Sequence, residues 1–159
     1  MKSLFQLILI GCTSISFAQT HDLVQHNGSK IEVNYIKTAN DIVYYSSANS
    51  SEEKAISKFA VAQIQESDKS SSKTISEKVN ITGAADFEKV RVISTQQTIG
   101  LKNMGTISSF LGKTKGDTDQ AFKDQARKRL QQLAAEKNAP FIVITSNKSQ
   151  NLKAELYGY

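Results

Sequence analysis

Apolar and polar residues alternate along Lys30-Ile31-Glu32-Val33-Asn34-Tyr35-Ile36-Lys37. Ile31, Val33 and Tyr35 share one face, with Glu32, Asn34 and Lys37 polar around it, and a period of two predicts a half-buried strand. The shorter run Asp22-Leu23-Val24-Gln25 precedes it. Asn27-Gly28 between the two runs predicts a hairpin, because both residue types accept positive φ. Ala39-Asn40-Asp41 predicts the next turn and Ile42-Val43-Tyr44-Tyr45-Ser46 the next strand. After a polar loop, Ala55-Ile56-Ser57-Lys58-Phe59 and Val61-Ala62-Gln63-Ile64 close a small antiparallel β-meander over residues 19–66. Tyr35, Tyr44 and Tyr45 read as cross-strand packing in preference to a stacking platform.

The pattern then breaks. Ser67-Asp68-Lys69-Ser70-Ser71-Ser72-Lys73-Thr74 has no apolar period and predicts a flexible Ser/Lys-rich linker over residues 67–78. Beyond it, Lys78-Val79-Asn80-Ile81-Thr82-Gly83 and Lys89-Val90-Arg91-Val92-Ile93-Ser94 predict strands by β-branched content, as does Thr106-Ile107-Ser108-Ser109-Phe110-Leu111. Phe122, Ala126, Leu130, Leu133, Ala134 and Lys137 recur at three- and four-residue steps and predict one amphipathic helix. Asp117 is its expected N-cap, with Gln120 completing a capping box; Asn138 is its left-handed end and Pro140 its stop. Phe141-Ile142-Val143-Ile144-Thr145 is continuously apolar and predicts a strand covered on both faces. Leu152-Lys153-Ala154-Glu155-Leu156-Tyr157-Gly158-Tyr159 alternates and predicts a last strand, whose edge or face is expected to make contacts. The fold class is therefore α+β: an N-terminal β-meander followed by an α+β sandwich with one main helix over residues 79–159.

The N-terminus predicts export. Lys2 supplies a positive start, Leu4-Phe5-Gln6-Leu7-Ile8-Leu9-Ile10 a short apolar core, and Ser16-Phe17-Ala18 a small-residue cleavage site before Gln19, so residues 1–18 read as a signal peptide. The apolar run falls short of the roughly 20 residues that a membrane span requires. Leu9-Ile10-Gly11-Cys12 is a competing lipobox-like cut that would make Cys12 a lipid anchor. Cleavage after Ala18 removes the chain's one cysteine, and with it any disulfide, thiolate metal site or thiol nucleophile. The expected location is periplasmic or secreted, with no transmembrane helix in the mature chain.

Composition narrows the picture further. The 159 residues are 39% hydrophobic and 22% charged, which excludes collagen-like and wholly disordered classes. The net charge of +5 is dispersed, with Arg127-Lys128-Arg129 the densest run, and nucleic acid is not an expected partner. The expected partner is an unidentified protein or envelope component.

Catalytic patterns are missing from the sequence. No Ser sits in a G-x-S-x-G elbow, and the two histidines, His21 and His26, read as exposed residues beside the first hairpin. Gly112-Lys113-Thr114 matches the end of a phosphate-binding loop, but Ile107 stands where its first Gly is needed. Asp117 and Asp119 read as helix-start acids favoured by the dipole. No cofactor is expected. One metal site is: a free amine at Gln19, the amides of Thr20 and His21, and the His21 imidazole could form a square-planar Cu(II) or Ni(II) site. Cyclisation of the terminal Gln would remove it.

Asn27-Gly28-Ser29-Lys30-Ile31-Glu32-Val33, Asp41-Ile42-Val43-Tyr44-Tyr45 and Ile64 resemble a small β module of exported bacterial proteins of unknown function, with Asn34 near where those modules carry Gly. Leu133-Ala134-Ala135-Glu136-Lys137-Asn138-Ala139-Pro140-Phe141-Ile142-Val143-Ile144, with Met104-Gly105-Thr106-Ile107 upstream, resembles small envelope α/β domains of the Rcs stress-sensor lipoprotein and heavy-metal-binding-like type. That resemblance implies binding or sensing without catalysis. It carries over no functional residue, since the sensor's cysteines are missing and Asn138 replaces its Gly. The function expected is a non-catalytic exported binding or interaction protein, the alternative an envelope stress or metal sensor.

Intact-mass and N-terminal analysis of the native protein should find a start at Gln19. A diacylated start at Cys12 would overturn the soluble assignment.

Overall fold

The first segment folds by its period of two. The computed structural model describes residues 20–66, 71–110, 112, 118–146 and 151–159. Strands β1 (Thr20–Gln25), β2 (Lys30–Ala39), β3 (Ile42–Ser47), β4 (Glu53–Ser57), β5 (Val61–Glu66) and β6 (Ser72–Thr74) form one antiparallel sheet in the order β4-β3-β2-β1-β5-β6. Leu23, Val33, Val43, Ile56, Val61 and Ile64 are buried together, with Tyr35 and Tyr45 packed against them. Tyr35 and Tyr45 face each other across β2 and β3, in keeping with the cross-strand packing expected of the strand tyrosines. A bulge between Tyr35 and Lys37 bends β2 and helps curl the sheet around this core.

The two hairpin turns use different chemistry. At Asn27-Gly28 only Gly28 has positive φ, at 89°, while the Asn27 side chain accepts the Ser29 N–H at 2.9 Å. The expectation that both residues would be left-handed is met instead at Asn40 and Asp41, with φ of 52° and 62°. Two consecutive positive φ values match the right-handed twist of the flanking strands β2 and β3.

Part of the expected linker is a strand. Ser72–Thr74 forms β6 and pairs with β5, and Ile75 then donates to the Ala62 carbonyl at 2.8 Å. The edge of β5 offers unpaired backbone groups, and pairing them does not require apolar side chains. Residues 67–70 of that linker lie outside the described residues, as do the signal peptide, Cys12, Gln19, Lys113, Thr114 and Asp117.

The second sheet comprises β7 (Arg91–Val92), β8 (Lys102–Phe110), β9 (Phe141–Ile144) and β10 (Asn151–Gly158) in the order β7-β9-β10-β8. One helix, α1 (Asp119–Glu136), covers one of its faces. The architecture is α+β, as the sequence pattern predicts. The strand predicted at residues 78–83 does not form. Its amides are taken by side chains: Val79 N–H goes to the Tyr159 hydroxyl at 2.8 Å and Thr82 N–H to the Asp86 carboxylate at 2.9 Å. The strand predicted at residues 89–94 shrinks to β7, which runs parallel to β9.

Phe122, Ala126, Leu130, Ala134 and Ala135 are the buried stripe of α1; Lys137 is exposed past its end. Thr118 caps the helix, its hydroxyl accepting the Ala121 N–H at 3.2 Å, and Gln120 bonds Asp124 instead of closing a capping box. Asn138, at φ 55°, ends it: Asn138 N–H reaches the Ala135 carbonyl and Ala139 N–H that of Ala134.

β10 lies between β9 and β8, so its backbone edges are both used. This corrects the expectation that the last strand offers a free edge; among the described residues β8 takes the outer position. β9 is covered on both faces, as its unbroken apolar run predicts. Ile142 joins the core under α1. Phe141 and Val143 point the other way and meet Phe59 of the first segment, with Val79, Leu101, Tyr157 and Tyr159 around them. Further ties cross this junction. Asp41 accepts from Gln97 at 2.8 Å and forms an ion pair with Lys58, and Ser57 N–H donates to the Ile99 carbonyl at 2.8 Å. Gly100, at φ +85°, lies against Ile56, where a Cβ would come within 2.6 Å of it.

Phe141→Ala should cost about 3–5 kcal/mol in urea unfolding. Far-UV and tyrosine signals should still fall in one transition, because both sheets meet at this ring. Phe110→Ser, at a side chain 80% exposed, should stay within about 0.5 kcal/mol.

Candidate functional site

The polar groups of the junction gather where β1 ends. His26 follows Gln25 and its backbone N–H is held by the Ala60 carbonyl at 3.0 Å. Its Nε2 lies 2.9 Å from Ser76 Oγ, and Ser76 in turn donates to the Val61 carbonyl at 2.8 Å. The ring meets Tyr159 edge to face at 4.9 Å between centroids. Tyr159 packs on Phe141 at 5.6 Å. Neither histidine is exposed at a strand start, as the sequence reading expects; both are partly buried by packing against distant aromatic rings.

Ser76 Oγ thus lies within hydrogen-bond distance of both the His26 ring and the Val61 carbonyl. With the hydroxyl proton on that carbonyl, Nε2 is the donor to Oγ. The bonds tie the segment after β6 back to β5 and the first hairpin, as a strap.

Cations surround this strap. Lys78 Nζ lies 5.3 Å from the Tyr159 ring centre and 3.4 Å from the His26 carbonyl oxygen. The Arg91 guanidinium lies 5.7 Å from the Phe59 ring centre. Burial lowers the His26 pKa from 6.5, and the nearby Lys78 charge lowers it further. Burial raises the Tyr159 hydroxyl pKa, against the pull of the Val79 hydrogen bond and of Arg91.

Beside the strap opens a cleft of about 460 Å³, lined by Glu77, Lys78, Val79, Glu88, Lys89 and Arg91. Lys89 is already paired with Asp86 at 2.7 Å, and that pairing holds the Asp86 carboxyl far below its usual range. Lys78 and Arg91 are thus balanced by Glu77 and Glu88. A cleft with both signs has no strong net field to concentrate free anions.

Of the expected Gln19, Thr20 and His21 group, Gln19 lies outside the described residues. Thr20 and His21 belong to β1, where His21 faces Val33 on one side and Glu66 on the other. His21 Nδ1 is buried and has no hydrogen-bond partner. Among the described residues, no three His, Cys, Asp or Glu side chains gather to hold a metal ion. No helix there is long and apolar enough to cross a membrane.

Sequence reasoning singled out His26 and missed Ser76, Lys78, Arg91 and Tyr159. The Ser76 partner is 50 positions away and Tyr159 sits 80 from Val79, so no local pattern could pair them. The residue types gave one usable signal: a Tyr ending an alternating strand commonly buries its ring and keeps its hydroxyl bonded. No family model, curated protein or solved structure matches this chain.

Because His26 is harder to protonate when folded, the unfolded chain binds the extra proton first. The contribution is complete above about pH 6.5 and is lost as pH falls below that value toward the depressed folded pKa. Urea midpoints measured from pH 7.5 to 5 should show this fall, and His26→Gln should flatten it while retaining a bond to Ser76.

Proposed function

We propose that this chain is a non-catalytic binding or interaction protein, exported to the bacterial envelope by residues 1–18. The observation that carries the reading is the hydrogen-bond chain from His26 through Ser76 to the Val61 carbonyl. It turns the serine and histidine that could serve hydrolysis into a structural strap. Beside it, the mixed-charge cleft of Lys78, Arg91, Glu77 and Glu88 is held on a rigid floor, because Arg91 is on β7 and Val79 is pinned by Tyr159. A rigid, open, charge-patterned surface suits a protein partner whose own charges pair with it. The partner is an envelope protein, and the cleft selects it by register of charge more than by apolar burial.

A photo-crosslinking residue at Asn80, on the rim of the cleft, should trap one partner in intact cells, while the same residue at Lys54 on β4 should not. Arg91→Glu should reduce that yield about tenfold, the effect of ~1.4 kcal/mol. Equal trapping at both positions would remove the cleft from the account. Ester or peptide turnover abolished by His26→Ala would overturn the non-catalytic reading.

A further inference from the structure

Among the described residues the two sheets have four edge strands: β4 and β6 in the first, β7 and β8 in the second. An edge strand carries a row of unpaired N–H and C=O groups, and folded chains blunt it with charge or keep it short. Three of these edges are blunted. β4 carries Glu53 and Lys54, β6 is three residues with Lys73 at its centre, and β7 is two residues beginning at Arg91. β8 is different. It runs for nine residues, Lys102 is its only charge, and Thr106-Ile107-Ser108-Ser109-Phe110 carries none. Gly105, at φ +111°, lies at a register shift against β10 and sets Lys102 apart from this neutral stretch. β10 pairs with one side of the stretch, and no described strand pairs with the other. Phe110 stands 80% exposed at its end.

We propose that this edge pairs with the same edge of a second copy of the chain, antiparallel about Ser108, and joins two four-stranded sheets into one of eight. The sequence of the stretch matches its own reverse. Centring on Ser108 sets Phe110 of each copy opposite Thr106 of the other, Ile107 opposite Ser109, and Ser108 opposite itself. Ile107 belongs to the core under α1, and side chains alternate, so Thr106, Ser108 and Phe110 share the face away from the helix. On that face the pairing makes two aromatic–β-branched pairs, a combination that stabilises adjacent strands, around a central pair of hydroxyls. No like charges meet, because the stretch has none. Five paired residues span about 17 Å. So short a contact buries less than the roughly 800 Å² per partner of standard interfaces, and it makes an exchanging dimer in place of a permanent one. Arg91 of the junction cleft is on β7, at the opposite edge of the sheet, so the new strand pair leaves that cleft uncovered on both copies.

The test is sedimentation velocity of the purified protein from about 10 μM to about 1 mM, with amide hydrogen exchange at both ends of the series. A monomer–dimer equilibrium should appear within that range, and amides among residues 106–110 should exchange more slowly at the high concentration. Ser108→Lys sets two ammonium groups against each other at the centre of the pairing and should weaken dimerisation by about tenfold or more. Phe110→Ser, which leaves the monomer's stability nearly unchanged, should weaken it severalfold, and it carries the test should Ser108→Lys not fold. A monomer at every concentration overturns the proposal. So does a dimer undiminished in both variants, or slow exchange at residues 106–110 that does not depend on concentration, the sign of an edge covered by its own chain. Growth beyond the dimer overturns it too, since two-fold pairing uses up the edge in each copy.

Discussion

Phe141 cannot reach water, and the strand that carries it is apolar on both faces. That constraint organises the molecule. One face of β9 is met by α1 through Ile142. The other face would be a bare apolar surface on a lone α+β sandwich; the Phe59 ring, centred 5.4 Å from Phe141, covers it from the first segment. The meander supplies the layer that the C-terminal half lacks, and the two share a core at this point. Burial of an aromatic side chain contributes roughly 1.5–3 kcal/mol or more, so this contact is a strong reason for the halves to stay together.

Polar groups follow from that docking. Bringing Phe59 onto Phe141 places the β2–β3 hairpin beside the loop before β8. Asp41 then takes Lys58 from its own segment and Gln97 from the other. The same docking sets Tyr159 between the His26 ring and Phe141, where its hydroxyl holds Val79. The cleft over the junction inherits its shape from these ties. Two of its cations, Lys78 and Arg91, stand on aromatic rings that the core has already fixed.

Elements whose chemistry is local were legible in the sequence. The period of α1, the left-handed Asn138 and the unbroken run of β9 each depend on neighbours within a few positions. The β-meander was legible for the same reason, though which tyrosines face each other was set by register. Residues 78–83 were misread because their amides bond to Tyr159 and Asp86 side chains, and β-branched content alone does not reveal such competition. β6 was missed in the opposite sense: its side chains have no pattern, and its strand character comes from the exposed edge of β5. The candidate sites were least legible. His21 and His26 were visible as residue types, but their burial, their ring neighbours and the His26–Ser76 bond were not.

By itself the sequence determined the α+β class, the helix and its left-handed end at Asn138, the strand covered on both faces, and the lack of a nucleophile elbow. These depend on periodicity, residue volume and residue type, which are properties of the chain read in order. Tertiary structure alone decided that β10 is interior, that Phe59 covers β9, and that His26 is bonded to Ser76 and packed on Tyr159. Each of these depends on which distant groups share one volume once water has been excluded, and that is set by packing the whole chain together.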